Sequence, residues 1–323
     1  MRKMKSLCIT LLFISLMALI TMSCSNTVTY KPSNLPSLIA FSSDRYKTVH
    51  IYTVKPDGND LKSTSSDNLT FDGVPMWSPD GTRIAFCSNQ SSNYEVWTMN
   101  EDGSDRRKLT DAQGWKGLAR WSPDGSSIVF NGQPLVPTGS VSFEIFLMNP
   151  DGSDVIQLTD SWQWNLQVDP AERFRWNSVP TWSPDGSKIL FASNRDGDGT
   201  RPILYTMNPD GSDQKKFGLF FEVDGTEPDW SPVSNKIVLT RGNAAKGDIW
   251  VMDGDSPLPL LTAKKLSDNI DNNHSPVWSP DGTQIAFVSD TYGNADVFIM
   301  NADGSNVRRI TYDKANDNHP TWR

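Results

Sequence analysis

The sequence predicts an all-β protein: a closed ring of six four-stranded antiparallel blades. Three observations carry that expectation. First, one unit recurs, and its copies are marked by Trp77, Trp121, Trp182, Trp230, Trp278 and Trp322. A repeat of this size is one supersecondary unit that buries its apolar faces only against its neighbours. Second, turn signals sit at fixed places in the unit. Ser-Pro-Asp-Gly follows the tryptophan at 78–81, 122–125, 183–186 and 279–282. A second Asp-Gly turn closes at 102–103, 151–152, 210–211 and 303–304. Third, the two ends of the sequence hold complementary fragments of one unit. Residues 38–70 match its second, third and fourth strands, and 318–323 match only its first. Pairing the C-terminal strand with the N-terminal blade closes the ring and removes its open edges. A linear solenoid would instead want capping units, and the sequence shows none.

Each element follows from local composition. In the N-terminal fragment, 38–44 read as the second strand, 50–54 as the third, 55–58 as the turn and 61–70 as the fourth. Residues 72–110 are the first whole unit, with a short polar link at 88–93 between its second and third strands. In the next unit, 111–159, that link lengthens to 131–140, and its Pro and Gly content marks a loop. The largest insertion, 160–178, carries Trp162, Trp164, Phe174 and Trp176. Asp169-Pro170 within it suits the start of a short helical turn. The Trp230 unit is the most degenerate, with Ser231-Pro232-Val233-Ser234 in place of the usual turn. The Trp278 unit is the cleanest. Its runs 285–288 and 297–299 are β-branched and aromatic, as strands prefer. Its turn glycines, Gly282 and Gly304, suit the positive-φ position of a tight reversal.

These units resemble the WD40-like beta-propeller repeats known as PD40, found in the C-terminal domain of TolB-type proteins. The resemblance covers about residues 38–323 and rests on the repeated Pro-x-Trp-Ser-Pro-Asp-Gly and Asn-x-Asp-Gly signals. It implies a six-bladed beta-propeller. TolB proteins carry an α/β domain ahead of the propeller, and the stretch before Leu38 is too short for one. The expectation is therefore a propeller alone, without TolB's own role carried over.

The start of the chain reads as a targeting segment. Arg2, Lys3 and Lys5 form a basic region, an apolar run covers 7–22, and Ser23-Cys24 ends it. Residues 1–23 are thus expected to be a signal peptide of lipoprotein type, with Cys24 as the lipidation site and 24–37 as a polar tether. Thr21 departs from the leucine usual in such signals. No Asp follows Cys24, which points to the outer membrane of a diderm envelope; without the lipid, the product would be secreted or periplasmic. Net charge is −8, and removal of the leader leaves 27 basic against 38 acidic residues. That balance argues against a nucleic-acid partner. Cys87 has no partner in the mature chain and reads as a buried, inert thiol.

Variation among the units locates a binding face. The two Asp-Gly turns are nearly constant, whereas the second-to-third strand loops and the inter-unit links vary. In an up-and-down blade both variable classes emerge on one face of the ring, where loops on a rigid scaffold carry function. The six motif tryptophans read as inter-blade packing. Trp115, Trp162, Trp164 and Trp176 belong to no repeat position and fall in variable links, so they are candidate binding aromatics. The residues three before each motif tryptophan are Val74, Leu118, Val179, Glu227, Ser275 and His319, expected to line the mouth of the central channel. Glu227, Asp271, His274 and His319 join the candidate set as ionisable groups on this face.

Metal and cofactor sites are not expected. The three histidines have no ligand spacing, too few for the multi-histidine metal site of related pectin-degrading propellers. Residues 194–200 begin like a calcium loop, but the closing position is Tyr205 rather than Glu. No phosphate loop or nucleophile elbow occurs. The expected function is a non-catalytic binding or scaffold protein of the cell envelope that meets a protein partner on the variable face. A glycan-binding lipoprotein is the alternative. A carbohydrate- or peptide-acting enzyme using Glu227, Asp229, Asp271, His274 or His319 ranks behind both.

Overall fold

The computed structural model describes residues 35–64, 70–111, 114–134, 142–161, 176–196, 202–218, 223–243, 246–267 and 271–323. They form six four-stranded antiparallel sheets. Blade 1 joins the two ends of the chain: β1 (Ile39–Ser43), β2 (His50–Val54), β3 (Lys62–Ser63) and β24 (Asp317–Trp322), in the order β24-β1-β2-β3. Blade 2 is β4 (Asp72–Trp77), β5 (Arg83–Ser88), β6 (Glu95–Asn100) and β7 (Arg107–Lys108). Blade 3 is β8 (Lys116–Trp121), β9 (Ile128–Gly132), β10 (Glu144–Met148) and β11 (Ile156–Gln157). Blade 4 is β12 (Asn177–Trp182), β13 (Ile189–Ser193), β14 (Ile203–Met207) and β15 (Lys215–Lys216). Blade 5 is β16 (Thr226–Trp230), β17 (Lys236–Asn243), β18 (Lys246–Asp253) and β19 (Lys264–Lys265). Blade 6 is β20 (Asn273–Trp278), β21 (Gln284–Ser289), β22 (Asp296–Asn301) and β23 (Arg308–Arg309). The fold is a six-bladed beta-propeller.

Ring closure has the expected form. In β24, Trp322 faces Ile39 and Asp317 faces Ser43 of β1. Leu38 and Arg323 exchange backbone hydrogen bonds at 3.0 and 3.2 Å. Pro36 and Ser37, at the end of the expected tether, also contact the closing strand. Trp322 Nε1 donates to Ser37 Oγ at 2.7 Å.

The motif tryptophans pack between blades. Trp182 lies with Val129 and Ile145 of blade 3 as well as Phe191 of its own blade. Trp278 joins Val238 and Ile249 of blade 5 to Ile285 of blade 6. A largely buried aromatic brings a large apolar surface to each seam. The turn aspartates serve as local acceptors. Asp80 Oδ1 receives Ser78 Oγ at 2.5 Å and the Thr82 amide at 3.0 Å, and Asp281 receives Ser279 Oγ and the Thr283 amide. Gly282 and Gly304 have φ of +67° and +91°, as the reversals require.

Every innermost strand is interrupted at the same place. Its pairing shifts register just before the tryptophan, for example between Gly73 and Met76 or between His274 and Val277. The residue at the break has positive φ: Val74 54°, Leu118 51°, Val179 48°, Glu227 50°, Ser275 52° and His319 51°. Proline follows it in five of the six strands. A proline cannot donate to the ladder, so the strand bulges there. The next blade's bulge is held by side chains. Ser42 Oγ accepts the Val74 amide at 2.8 Å, Asn131 Oδ1 accepts that of Val179 at 2.9 Å, and Glu227 Oε2 accepts that of Ser275 at 2.8 Å. Blade 5 departs furthest from the repeat. Its β17 and β18 run to eight residues, and a short helix, α1 (Pro259–Thr262), precedes β19. Proline at the first turn suits that start.

Candidate functional site

The six bulge residues line one central cavity, of about 40 Å³. Bulging turns these side chains out of the sheet register and gathers them around the axis. Glu227 and His319 are the ionisable members, as expected from the sequence. Glu227 lies on β16 and its carboxylate bridges to blade 6: Oε2 accepts the Ser275 amide and Oε1 accepts Ser275 Oγ, both at 2.8 Å. Thr240 Oγ1 donates to Oε2 at 3.1 Å. His274 Nδ1 lies 3.0 Å from the same Ser275 Oγ. His274 is therefore linked to Glu227 through one hydroxyl.

Electrostatics couple these groups. Burial opposes ionisation of Glu227, but the nearby His274 and His319 and the Ser275 donors hold its carboxyl below the ordinary value. Burial pushes the His319 imidazole down, and Arg120 and His274 push the same way against the pull of Glu227. Its Nδ1 is buried with no hydrogen-bond partner among the described residues. The sign of the pH effect follows. An unfolded histidine protonates near 6.5, before the folded one, so stability falls as pH drops below about 6.5. Glu227 adds to the loss below its unfolded value of 4.5. The melting temperature of a His319→Gln variant is therefore expected to fall less steeply than the parent's between neutral pH and about pH 5. Parallel curves for the two proteins would contradict the burial of a neutral His319.

Beneath this ring lies a second, formed by the residues one before each tryptophan. Met76, Arg120, Thr181, Asp229, Val277 and Thr321 form the floor of a wider funnel. Asp229 Oδ2 accepts the Trp278 amide at 2.9 Å, and Oδ1 is 4.0 Å from Arg120 Nη1. Burial raises the Asp229 carboxyl above its ordinary value in spite of Arg120. Glu227 and Asp229, the carboxylates considered for glycoside chemistry, both accept backbone amides of blade 6. Sequence reasoning missed Arg120. Reading the position before each tryptophan around the ring would have found it.

The remaining candidates sit further from the axis. Trp115 is half-buried edge-to-face on Phe143, with ring centroids 5.5 Å apart, and its amide donates to Gln133 Oε1. Trp176 is also half-buried and packs on the core of blades 4 and 5. These two tryptophans do not meet Glu227 or His319 in the axial cavity. Asp271 accepts Thr291 Oγ1 at 3.0 Å on the blade 6 rim. Trp162, Trp164 and Cys24 lie outside the described residues. Cys87 is buried, its thiol pushed up to about 12 by burial. Among the described residues, no group of three or more His, Cys, Asp or Glu is placed to hold a metal ion.

Other aromatic pairs carry arginines. Arg45 covers Phe41 and Tyr52, Arg106 covers Phe86 and Trp97, and Arg195 covers Phe191 and Tyr205, at 4.5–6.0 Å. Arg106 also holds Asp72 through both terminal nitrogens, at 2.8 and 2.9 Å. These cations are structural: each seals the end of a blade and neutralises a carboxylate or meets an amide there.

Comparison with known proteins agrees with this architecture. Residues 220–323 match the family described as TolB beta propeller domain, PD40. The Tol-Pal system protein TolB of Anaeromyxobacter dehalogenans (strain 2CP-C) is 31% identical over 132 residues, 41% of this chain and 29% of that protein. The chain thus aligns with less than a third of that relative's length. Among solved structures, TolB from Acinetobacter baumannii superposes with a TM-score of 0.70 at 19% identity, covering 88% of this chain and 66% of that one. A putative TolB from Agrobacterium tumefaciens gives 0.58 at 19% identity, covering 85% and 88%. Kuenenia stuttgartiensis Hydrazine Synthase also gives 0.70, at 17% identity, covering 89% and 46%. Likeness at these structural identities is one of fold. The chain is a six-bladed propeller, similar in fold to TolB, and its residues 220–323 match the TolB beta propeller family.

Proposed function

We propose that this protein is a non-catalytic scaffold of the cell envelope whose variable-loop face binds a protein partner. The observation that carries the reading is the division of the ring into two unlike faces. Short turns, most of them locked by their own aspartate, occupy one face, and the strand ends that lead into the variable links lie on the other. Glu227 and His319 line the axial cavity, and His274 is tied to Glu227 through Ser275. The likeness to TolB, named for the Tol-Pal system, supports a protein as the ligand. Lipid on Cys24 would hold the propeller at the outer membrane. The half-buried packing of Trp115 and Trp176 argues less for an open sugar platform than their sequence positions do.

The test is capture from envelope extract with the mature protein, beside a glycan array. A specific protein is expected, and its binding should weaken when Glu227 and His274 are replaced together by Gln. Replacing Trp162, Trp164 and Trp176 by Ala tests the aromatic insertion. Array binding lost in that folded variant, without a captured protein, would favour the glycan reading. Turnover of a polysaccharide or peptide by the purified protein would overturn the scaffold reading. Mass spectrometry of the mature N-terminus tests the anchor: an unmodified start beyond Cys24 would exclude it.

A further inference from the structure

The channel has a second mouth, on the constant-turn face, and its chemistry differs from the first. The six motif tryptophans and five turn prolines surround a cavity of about 140 Å³ whose floor holds Arg120 and Asp229. Arg120 is poorly satisfied there. Its Nη1 meets Met76 Sδ at 3.3 Å, and the Asp229 carboxylate stands 4.0 Å off. Arg106, by contrast, grips Asp72 with two nitrogens, and Arg195 reaches Asn177 Oδ1 at 2.7 Å and Gln214 Oε1 at 2.9 Å. A guanidinium has five donors, and a thioether is a weak acceptor for any of them.

The walls are built from the tryptophans and turn prolines. The indole nitrogens of Trp77, Trp121 and Trp278 are buried with no hydrogen-bond partner among the described residues. The other three donate within the protein, to Arg120 O, Asn235 Oδ1 and Ser37 Oγ. Asp229 already spends one oxygen on the Trp278 amide.

We propose that this funnel binds an organic carboxylate with an apolar body, the carboxylate meeting Arg120 and the body packing among the tryptophans and prolines. A planar guanidinium matches a carboxylate with two parallel hydrogen bonds. Apolar walls disfavour a hydrated inorganic anion, and the cation on the floor disfavours an amine. The ligand is either a free acid or the C-terminus of an apolar peptide; both present the same group. The site lies on the face opposite the proposed partner surface, so either reading can fail without the other.

The experiment titrates the mature protein with indole-3-acetate and with an apolar tripeptide, each beside its carboxamide, followed by ligand-observed NMR. At least one acid is expected to saturate, with its amide about tenfold weaker or worse. Tighter binding of the small acid would identify a metabolite-like ligand, and tighter binding of the tripeptide a chain terminus. Arg120→Met should weaken the acid about ten- to a hundredfold and leave the amide unchanged, with partial recovery in Arg120→Lys. Because Arg120→Met leaves Asp229 without its cation, the Arg120→Met, Asp229→Asn pair serves as the folding control. Equal affinity for acid and amide in the unaltered protein, or no saturation by either acid up to about 10 mM, overturns the proposal.

Discussion

Deleting residues 318–323 is expected to open blade 1 and to destabilise the protein by about 5 kcal/mol or more. The segment supplies most of β24, the strand that pairs with β1. It includes Trp322, which is 8% exposed and packs with Ile39 and Phe41 of blade 1 and Val277 and Ala286 of blade 6. Loss of one such aromatic alone costs about 3–5 kcal/mol. Arg323 goes too. Its guanidinium stacks 4.3 Å from the Trp77 ring and donates to Gly81 O at 2.6 Å, tying blade 1 to blade 2. The shortened chain also exposes the backbone edge of β1, which invites self-association. Urea unfolding of both proteins checks the result, and Trp322→Ala should fall between them. A shared midpoint would mean that closure contributes little to stability.

Glu144→Ala is the second large effect, about 3 kcal/mol of destabilisation. Glu144 begins β10 and is 1% exposed. Its carboxylate accepts Thr159 Oγ1 at 2.6 Å, the Ser161 amide and Asn177 Nδ2 at 2.8 Å each, and the Ser161 hydroxyl. Those donors come from blade 3, from the link that leaves it and from β12 of blade 4. Alanine would leave all of them buried without an acceptor, and unmet buried donors are costly. Burial holds the carboxyl above its ordinary value in spite of the donors. Its folded value thus exceeds the unfolded 4.5, so the contribution it adds in acid is lost as pH rises through the folded value. The Glu144→Gln variant should cost less than alanine, because an amide oxygen can still accept. A urea midpoint for Glu144→Ala within 0.5 kcal/mol of the parent would show that other groups take up these donors.

The repeat made the fold legible from the sequence. Period, turn chemistry and split unit are local signals, and they agree because each blade must bury the same faces. They predicted six blades, the closing strand and the packing role of the tryptophans. They also placed Glu227 and His319 on one ring, since equal positions in equal units meet at the axis. The candidate site was only partly legible. The positive-φ bulge at Val74 and its five counterparts follows from a proline two residues before most of the tryptophans, yet that motif was read as a marker rather than as a break in the ladder. The helix at Pro259–Thr262 escaped because a four-residue turn has no periodicity to detect.

Other features depend on residues far apart in the chain. The Glu227 carboxylate meets Ser275, 48 positions later, and Arg120 stands beside Asp229 across two blade boundaries. Arg106 reaches, from just before the fourth strand of its unit, the kind of aromatic pair that Arg45 and Arg195 reach from just after the second. By itself the sequence determined the repeating sheet, because turn residues and alternating apolar runs act within a few positions. Only the tertiary structure decided which charges share the channel, because closing the ring sets those distances and excludes the water that would otherwise solvate them.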